Sequence, residues 1–378
     1  MRRTSRDSQS EVRRLLGIAL RNPVHVARMA PTELDLCIQI LRSVRLHGRL
    51  TADLKREGVF ADLPQVAQDQ LESALVMADS RNRVALWELN RIDWATRDQP
   101  DLDLICMKGC AYILLDLPNI RGRIFADVDL LLAENKLIEV EQVLNRRGWQ
   151  TKELTPYDDN YYRHWTHELP PLVHVERDVE IDLHHNIVPR TARLKPPAAE
   201  LINNAVAVKG SRYRVLANED LVLHAMVHLM FDSDLADKLR DLVDIDEMCR
   251  YFADQNENFW DNLLARAGKL GLERPLYYSL RYCRQLLDSP VPNVIMEQTR
   301  EWAPVAPIRW LMDRLVPRAL LPPHPQYPSL LTEAARLLLF MRSHWIRMPP
   351  WLLVYHLSYK FYLTRIRRWA APTETAVD

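Results

Sequence analysis

Two aspartates separated by a single residue, Asp127 and Asp129, interrupt an otherwise apolar segment at residues 125–132. The alternation of side chains along a β-strand would place both carboxylates on the same face. Carboxylates held side by side repel each other, and each is costly to remove from water. A divalent cation with oxygen ligands, most often Mg²⁺, relieves both costs. The pair therefore predicts a metal site on a strand.

A second segment, residues 179–188, carries polar side chains at the same spacing. Glu180, Asp182 and His184 share one face of the predicted strand, whereas the residues between them are apolar. A strand with one polar face is most often simply solvated on that face. Because the aspartate pair precedes this strand at a suitable distance, we favour the alternative that its polar face contributes to the same site.

The elements around the aspartate pair follow from the neighbouring residues. Residues 104–107 are apolar, and this run breaks at Lys108-Gly109. Apolar residues at helical spacing follow, and then an Asn/Gly turn that contains Arg121 and Arg123. This order predicts a strand, a glycine turn, a helix, a loop and the strand that carries the aspartates.

A glycine after a strand, then a helix, then Asp-hydrophobic-Asp-hydrophobic resembles the nucleotidyltransferase fold of DNA polymerase β and the antibiotic nucleotidyltransferases. The form KG…R…DVDLL is more similar to the bacterial group of uncharacterised nucleotidyltransferases. The resemblance spans residues 104–188 and, more loosely, the helices up to residue 251. The turn has Gly109-Cys110 where the superfamily has Gly-Ser or Gly-Gly.

The resemblance implies an α+β fold, in which a small mixed β-sheet forms a nucleotidyltransferase core between N-terminal helices and a mostly helical C-terminal domain. The predicted divisions are an N-terminal helical cap at residues 1–100, the core at 101–195, a helical domain at 196–290 and a C-terminal helical part at 291–378. The cap carries no recognisable chemistry, and we expect it to pack against the sheet.

The same resemblance implies a metal-dependent enzyme that transfers a nucleotidyl group from an NTP, such as ATP, to a small molecule, a sugar phosphate or a protein. Mg²⁺ or Mn²⁺ would be the cofactor, and a two-metal site would clamp the attacking and leaving oxygens. The implied catalytic residues are Asp127, Asp129, Asp182, Glu180 and His184, of which Asp127, Asp129 and Asp182 are the implied metal ligands. The implied nucleotide-binding residues are Lys108, Gly109, Cys110, Arg121, Arg123 and His167. The proton of the acceptor would go to Asp182, with Glu180 and His184 as alternatives.

Two further functions compete with this one. A catalytically inactive protein on the same fold, which docks to a membrane or a partner, is favoured by the loss of the Gly-Ser turn. A histidine-metal hydrolase would use His164, His167, His184 and His185, which show no ordered ligand spacing. His224 and His228 are four residues apart, but the segment lacks the glutamate of an H-E-x-x-H zinc motif. We expect these two to pack against the sheet or to contact phosphate.

Composition limits the other classes of function. The 378 residues contain 50 Lys and Arg against 50 Asp and Glu, and this neutral balance gives no strong signal for nucleic-acid binding. The five cysteines are odd in number and show no CxxC spacing. They fit a reducing cytoplasm better than a disulfide framework or structural zinc. The N-terminus lacks the apolar core of a signal peptide, and the sequence has no run of 18 apolar residues. We therefore predict a cytoplasmic protein.

The C-terminal part differs in charge from the rest. No acidic residue occurs between Glu333 and Glu374, whereas arginines alternate with Trp and Tyr. As a helix, residues 351–369 form a cationic, aromatic stripe suited to a peripheral membrane contact or a partner groove. The competing interpretation, which we favour, is a core helix packed on the body of the protein.

Two further segments, residues 157–171 and 232–250, have predicted local structures that bear on the site. Residues 157–171 are dense in aromatics and imidazoles, and we expect an extended strand there. The family resemblance implies a His-Glu-Leu-Pro strand that enters the site, and the alternative is an edge strand with surface histidines. Residues 232–250 have alternating acidic and basic residues, which predicts an amphipathic helix with a solvated face of ion pairs. Its Lys238, Arg240 and Asp241 resemble a helix of the family that flanks the active site.

Overall fold

The protein is described by a computed structural model that covers residues 5–361 with the exception of residues 100, 126, 153 and 237. Its first helices are α1 (Ser5–Arg21), α2 (Pro23–Val26), α3 (Pro31–Ser43), α4 (His47–Arg56), α5 (Gln65–Thr96), α6 (Lys108–Leu114), α7 (Leu137–Asn145), α8 (Pro156–Trp165) and α9 (Ala198–Asn204). The later helices are α10 (Asn218–Phe231), α11 (Leu239–Gln255), α12 (Phe259–Leu270), α13 (Glu273–Leu287), α14 (Asn293–Gln298), α15 (Ala306–Leu320), α16 (Leu330–Arg347) and α17 (Pro350–Phe361). Short 3₁₀ helices occupy Phe60–Asp62, Pro118–Ile120, Glu134–Lys136 and Thr299–Trp302.

One mixed sheet lies among these helices. Its strands are β1 (Ile105–Cys106), β2 (Asp127–Leu131), β3 (Trp149–Thr151), β4 (Leu172–His174), β5 (Glu180–His184), β6 (Val206–Ala207) and β7 (Arg214–Val215). They are arranged in the order β3-β4-β5-β2-β1-β7-β6. The pairs β2–β5 and β1–β7 are parallel, and the other four pairs are antiparallel. The predicted α+β class with a small mixed sheet is confirmed.

Strand β2 and its neighbour β5 are held in place by their apolar faces. Val128 and Leu130 on β2, and Ile181 and Leu183 on β5, are completely buried. A shift of one residue would move these side chains to the opposite face and expose them to water, so the pairing register is strongly specified. The polar residues between them consequently face the other side together.

The N-terminal helices are anchored to the sheet by buried polar contacts. The Glu88 carboxylate on α5 is fully buried and accepts hydrogen bonds from Trp149 Nε1 at 2.8 Å and from Arg177 Nε at 2.8 Å. Tyr213, just before β7, donates its hydroxyl to the carbonyl of Leu89 at 2.7 Å. Because a buried carboxylate is stable only when it is paired, these bonds fix α5 against the sheet.

Helix α4 also approaches the loop that precedes β2 very closely. Gly122 has a φ of +65°, and a Cβ built on it would lie 2.1 Å from the carbonyl carbon of Gly48. A Cβ on Gly48 would lie 2.4 Å from the carbonyl oxygen of Gly122. Two backbones therefore meet where neither residue can carry a side chain, which holds the loop containing Arg121 and Arg123 in position.

Residues 157–165 form helix α8, so the predicted strand is wrong for this part of the 157–171 segment. Thr155 caps the helix by accepting a hydrogen bond from the amide of Asp158, and Pro156 takes the first helical position. Asp158 and Asp159 in the first turn and Arg163 in the last turn complement the helix dipole. These end signals prevail over the β-propensity of the aromatic residues between them.

The predicted helix over residues 232–250 begins later than expected, at Leu239. The Asp232 carboxylate accepts a hydrogen bond from the amide of Asp234, and the Asp234 carboxylate accepts one from the amide of Ala236. Such local side-chain bonds compete with the helical backbone pattern. Lys238 consequently lies in front of the first turn of α11, where its side chain is available to the site.

At the C-terminal end of the described chain, α17 packs against α8. Leu352 is fully buried, and the rings of Tyr157 and Tyr359 stack with their centroids 4.0 Å apart. Trp351 and Tyr355 are at least half exposed, and residues 362–378 of the basic, aromatic segment lie outside the described residues. Among the helices that the structure describes, none is both long enough and apolar enough to cross a bilayer.

Candidate active site

The parallel pairing of β2 with β5 brings the predicted site residues together. Asp127 lies opposite Glu180, and Asp129 lies opposite Asp182. Because neighbouring strands in register present the same face at paired positions, all four carboxylates and His184 lie on one side of the sheet. Asp182 therefore faces the aspartate pair.

Asp129 is the buried centre of this group, with a side chain only 1% exposed. Its Oδ1 accepts a hydrogen bond from Lys108 Nζ at 2.6 Å and lies 2.9 Å from His184 Nε2. Burial alone would raise the pKa of Asp129, but Lys108 and His184 together hold it well below its usual range. Asp129 is therefore ionised at neutral pH. Its second oxygen, Oδ2, is buried and has no hydrogen-bond partner in the described part of the chain.

The turn before α6 differs from the expected glycine turn. Lys108, and not Gly109, has the left-handed backbone conformation, with a φ of +46°. A Cβ on Gly109 would lie 2.0 Å from the ring of Phe125. Gly109 is thus required for packing against Phe125, and the strained backbone of Lys108 directs its ammonium group toward Asp129.

Two carboxylates beside Asp129 remain without a partner. Asp127 and Asp182 form no hydrogen bond or ion pair with another side chain among the residues described. The adjacent Asp129 charge, followed by burial, raises the pKa of Asp127. Burial, followed by the Asp129 charge, raises the pKa of Asp182 to about 7. Both shifts arise because negative charge is concentrated in a site that excludes much of the water.

This arrangement fits a hard divalent cation. Ligand atoms of Asp129, Asp182 and His184 lie within 4.8 Å of one another. The unpartnered Oδ2 of Asp129 is an oxygen that a cation would satisfy, and the Asp182 carboxylate is available beside it. Asp127 is outside this group of three and lies two residues before Asp129 on the same strand face.

A cavity of about 290 Å³ opens beside Asp127. Its lining combines five cationic side chains with three carboxylates, so the cavity carries a net positive charge when these groups are ionised. The cations are Arg45, Lys108, Arg123, Lys238 and Arg240, and the carboxylates are Asp127, Asp241 and Asp244. The cavity suits an anionic ligand that reaches the carboxylate cluster at Asp127.

Arg123 is held by structural contacts. Its Nε donates to Asp244 Oδ2 at 2.7 Å, and its guanidinium lies 4.6 Å from the centroid of the Phe125 ring. The side chain is 12% exposed and lines the cavity wall. Arg123 therefore both ties α11 to the loop before β2 and contributes charge to the cavity. Arg121, two residues earlier, is exposed and does not line the cavity.

The remaining predicted residues occupy distinct places. Cys110 is buried, with Sγ 3.8 Å from the carbonyl of Asp127. Glu180 pairs with Lys152 at 2.7 Å on the outer part of the strand face. His228 lines the cavity, and burial followed by the Lys108 charge lowers its pKa. His224 is buried beside it on α10, and burial lowers its pKa strongly.

His167 lies beside His184 because the chain after α8 returns along β5. Glu168 forms an antiparallel bridge with His184, and the amide of His185 donates to the carbonyl of His167 at 2.9 Å. The Glu168 carboxylate lies 3.3 Å from His184 Nδ1 and 3.9 Å from His167 Nε2. Glu168 was not among the predicted site residues, although the His-Glu-Leu-Pro strand that contains it was expected to enter the site.

A strand, turn and helix followed by two aspartates on a central strand, with a third carboxylate on the parallel neighbour, is the arrangement of a nucleotidyltransferase core. A family model described as "Uncharacterised nucleotidyltransferase" matches residues 30–288, which is more than half of the chain. The chain belongs to this family, as the sequence resemblance predicted. No curated protein and no solved structure matches it.

Proposed function

We propose that the protein transfers a nucleotidyl group from an NTP to an acceptor, and that the reaction depends on a divalent cation. The observation that supports this most directly is that the cationic cavity adjoins the carboxylate cluster. The cationic cavity opens at Asp127, and Lys108 belongs both to the cavity lining and to the carboxylate cluster. A triphosphate in the cavity would reach the carboxylates with its phosphate chain.

Asp127, Asp129 and Asp182 are the residues that would hold Mg²⁺ or Mn²⁺. When bound, the cation would neutralise charge that develops on the phosphate oxygens during transfer. The fit rests on the unpartnered Oδ2 of Asp129 and on the free carboxylates of Asp127 and Asp182 within the described residues. Oxygen ligands of this kind are those that Mg²⁺ prefers.

The cations of the cavity would bind and orient the triphosphate. Lys238 and Arg240 lie at the start of α11, and Lys108 lies at the start of α6. Lys238 and Arg240 are tethered by Asp241, at 3.6 and 3.4 Å, so their positions are set before a nucleotide binds. Preorganised donors lower the cost of ordering a flexible, highly charged ligand.

Asp182 is the best-placed group to accept a proton from the acceptor. In the transfer, an acceptor oxygen or nitrogen bonds to the α-phosphorus while the bond to pyrophosphate breaks, and the acceptor proton goes to a base. Glu180 is paired with Lys152, and His184 is buried between Asp129 and Glu168. Among the residues that the structure describes, the Asp182 carboxylate has no such side-chain partner, and it lies opposite Asp129 on the neighbouring strand.

The proposal is tested by incubating the protein with each NTP, labelled at either the α- or the γ-phosphate, together with Mg²⁺ or Mn²⁺ and a cell extract. Label should reach an acceptor from the α position and not from the γ position. The Asp127→Asn/Asp129→Asn variant should lose this labelling, whereas Asp98→Asn, at an exposed carboxylate, should retain it. Equal labelling by both variants would refute these residues as the reaction centre.

A second candidate function is a catalytically inactive protein on the same fold that docks to a partner. The observation that favours it is the Lys108 ammonium, which already supplies positive charge to Asp129 at 2.6 Å. In that case Mg²⁺ with any NTP should leave the melting temperature unchanged, whereas binding would raise it by mass action. A melting shift that disappears in Asp127→Asn/Asp129→Asn would exclude this alternative.

A further inference from the structure

A group next to the carboxylate cluster has the composition of a transition-metal site. His167, Glu168 and His184 place one ligand atom each within 4.8 Å of one another. Glu168 and His167 are 25% and 19% exposed, so an ion has access from solvent, whereas His184 is only 2% exposed. Asp127 and the cationic cavity are not part of this group.

The two ring nitrogens of His184 face two different carboxylates. Nε2 contacts Asp129, and Nδ1 faces Glu168. Asp129 Oδ1 already accepts a hydrogen bond from Lys108 Nζ, so it also accepts in its 2.9 Å contact with His184, and the proton there belongs to Nε2. In the neutral ring, Nδ1 then carries a lone pair, and it lies 3.3 Å from Glu168 Oε2. This Nδ1 is buried and has no hydrogen-bond partner among the described residues. Two lone pairs at this distance repel unless a cation lies between them.

The spacing fits such a cation. Tetrahedral bonds of about 2.0–2.1 Å place two ligand atoms about 3.4 Å apart. The separations of 3.3 Å and 3.9 Å around Glu168 Oε2 bracket that value. The Asp129–His184 contact also reproduces the second-shell pattern in which a metal-bound histidine donates its other ring N–H to a carboxylate.

We propose that His167, Glu168 and His184 form a binding site for a first-row transition metal, with Zn²⁺ as the natural occupant. Two imidazoles and one carboxylate are a known ligand set for zinc and leave a fourth position for water. Imidazole ligands select against Mg²⁺, which prefers oxygen. The site uses none of the three residues proposed to hold Mg²⁺, although its ligand His184 contacts one of them, Asp129. It does not depend on nucleotidyl transfer.

The test begins with the purified, full-length protein. We expect about one equivalent of zinc by mass spectrometry after purification without chelators, since one complete ligand set is present. After removal of metal, titration with Co²⁺ in excess Mg²⁺ should give one equivalent of tetrahedral Co²⁺, seen as intense visible absorption bands. The excess Mg²⁺ is added to compete with Co²⁺ for the oxygen ligands of the carboxylate cluster.

Four variants then locate the ion. His167→Asn and Glu168→Gln each remove a ligand, and we expect them to weaken Zn²⁺ binding by more than the roughly 10–100-fold that loss of a second-shell partner costs. Asp129→Asn, which removes the charge of such a partner, should fall within that range. His164→Asn, on an exposed position of the same segment, should bind as the wild type does.

Two results would overturn the proposal. A wild-type protein that contains no metal and shows no tetrahedral Co²⁺ spectrum would indicate that a doubly protonated His184 bridges Asp129 and Glu168 without a metal. Stoichiometric binding that His167→Asn and Glu168→Gln leave unchanged would place the ion elsewhere. The first result needs no variant, so it holds even if a substitution impairs folding.

Discussion

Replacing Asp182 by asparagine should stabilise the metal-free protein, and the gain should increase with pH. Asp182 is half-buried beside Asp129, and burial followed by the Asp129 charge raises its pKa from 3.8 to about 7. Between these two values the folded protein binds more protons than the unfolded chain. Stability is therefore lost as pH rises from about 4 to about 7, because Asp182 must ionise in an unfavourable place.

The magnitude follows from the two pKa values. Their difference of about 3 corresponds to an upper limit of about 4 kcal/mol at pH 8, at 1.36 kcal/mol for each pH unit. Solvent that still reaches the half-buried carboxylate reduces this, and we expect about 1–2 kcal/mol at pH 8 and less than half of that gain at about pH 5. Asparagine has nearly the same shape as aspartate and carries no charge, so its contribution does not change with pH.

Urea unfolding in the presence of a chelator, at pH values from about 5 to about 8, measures the effect as a difference in the free energy of unfolding. Asp178→Asn, at an exposed carboxylate four residues earlier, is the matched control and should show no such trend. Saturating Mg²⁺ should stabilise the wild type more than Asp182→Asn, which reverses the order. A difference that is constant with pH, or a variant that is less stable at pH 8, would refute the reasoning.

Two other substitutions and one truncation test separate contacts. Lys108→Met leaves the buried Asp129 charge with one fewer partner and should cost about 3 kcal/mol in urea unfolding at neutral pH, and a loss below about 1 kcal/mol would contradict the buried pair. Gly122→Ala combines a left-handed backbone with a clash at 2.1 Å and should cost more than about 2 kcal/mol in the same assay. The control Gly210→Ala has a φ of +76° but nothing within 4 Å, so about 1 kcal/mol is expected, and equal losses would argue against the clash. Truncation before Pro349 should lower the melting temperature by exposing the aromatic face of α8, whereas an unchanged melt with loss of binding to anionic vesicles would favour the membrane interpretation.

The part of the site that lies within single strands was predictable from the sequence. Strict alternation placed Asp127 and Asp129 on one face of β2, and Asp182 and His184 on one face of β5, because the two-residue period of a strand is a local property. The apolar residues between them also fixed which face is buried. The family and the fold class followed from the same segments.

The contacts between distant segments were not predictable in this way. The bridge between Glu168 and His184 depends on the chain reversing after α8, and the sequence before Glu168 suggested a strand where a capped helix forms. The cavity includes Lys238 because α11 begins only at Leu239, after turns that Asp232 and Asp234 form with their own backbone. Competition between local side-chain bonds and helix formation is decided by small energies that the pattern of residue types does not display.

The order of the strands has a consequence for synthesis of the chain. Strand β1 pairs with β2 on one side and with β7 on the other, and β7 ends at Val215, about 109 residues after Cys106. At a translation rate of roughly 5–20 residues per second, the edge of β1 that pairs with β7 stays unpaired for about 5–20 s. An unpaired edge at the middle of the future sheet is a template for wrong strand pairing during that interval. Nascent chains stopped between residues 184 and 215 should therefore bind chaperones or aggregate more readily than chains released after Val215.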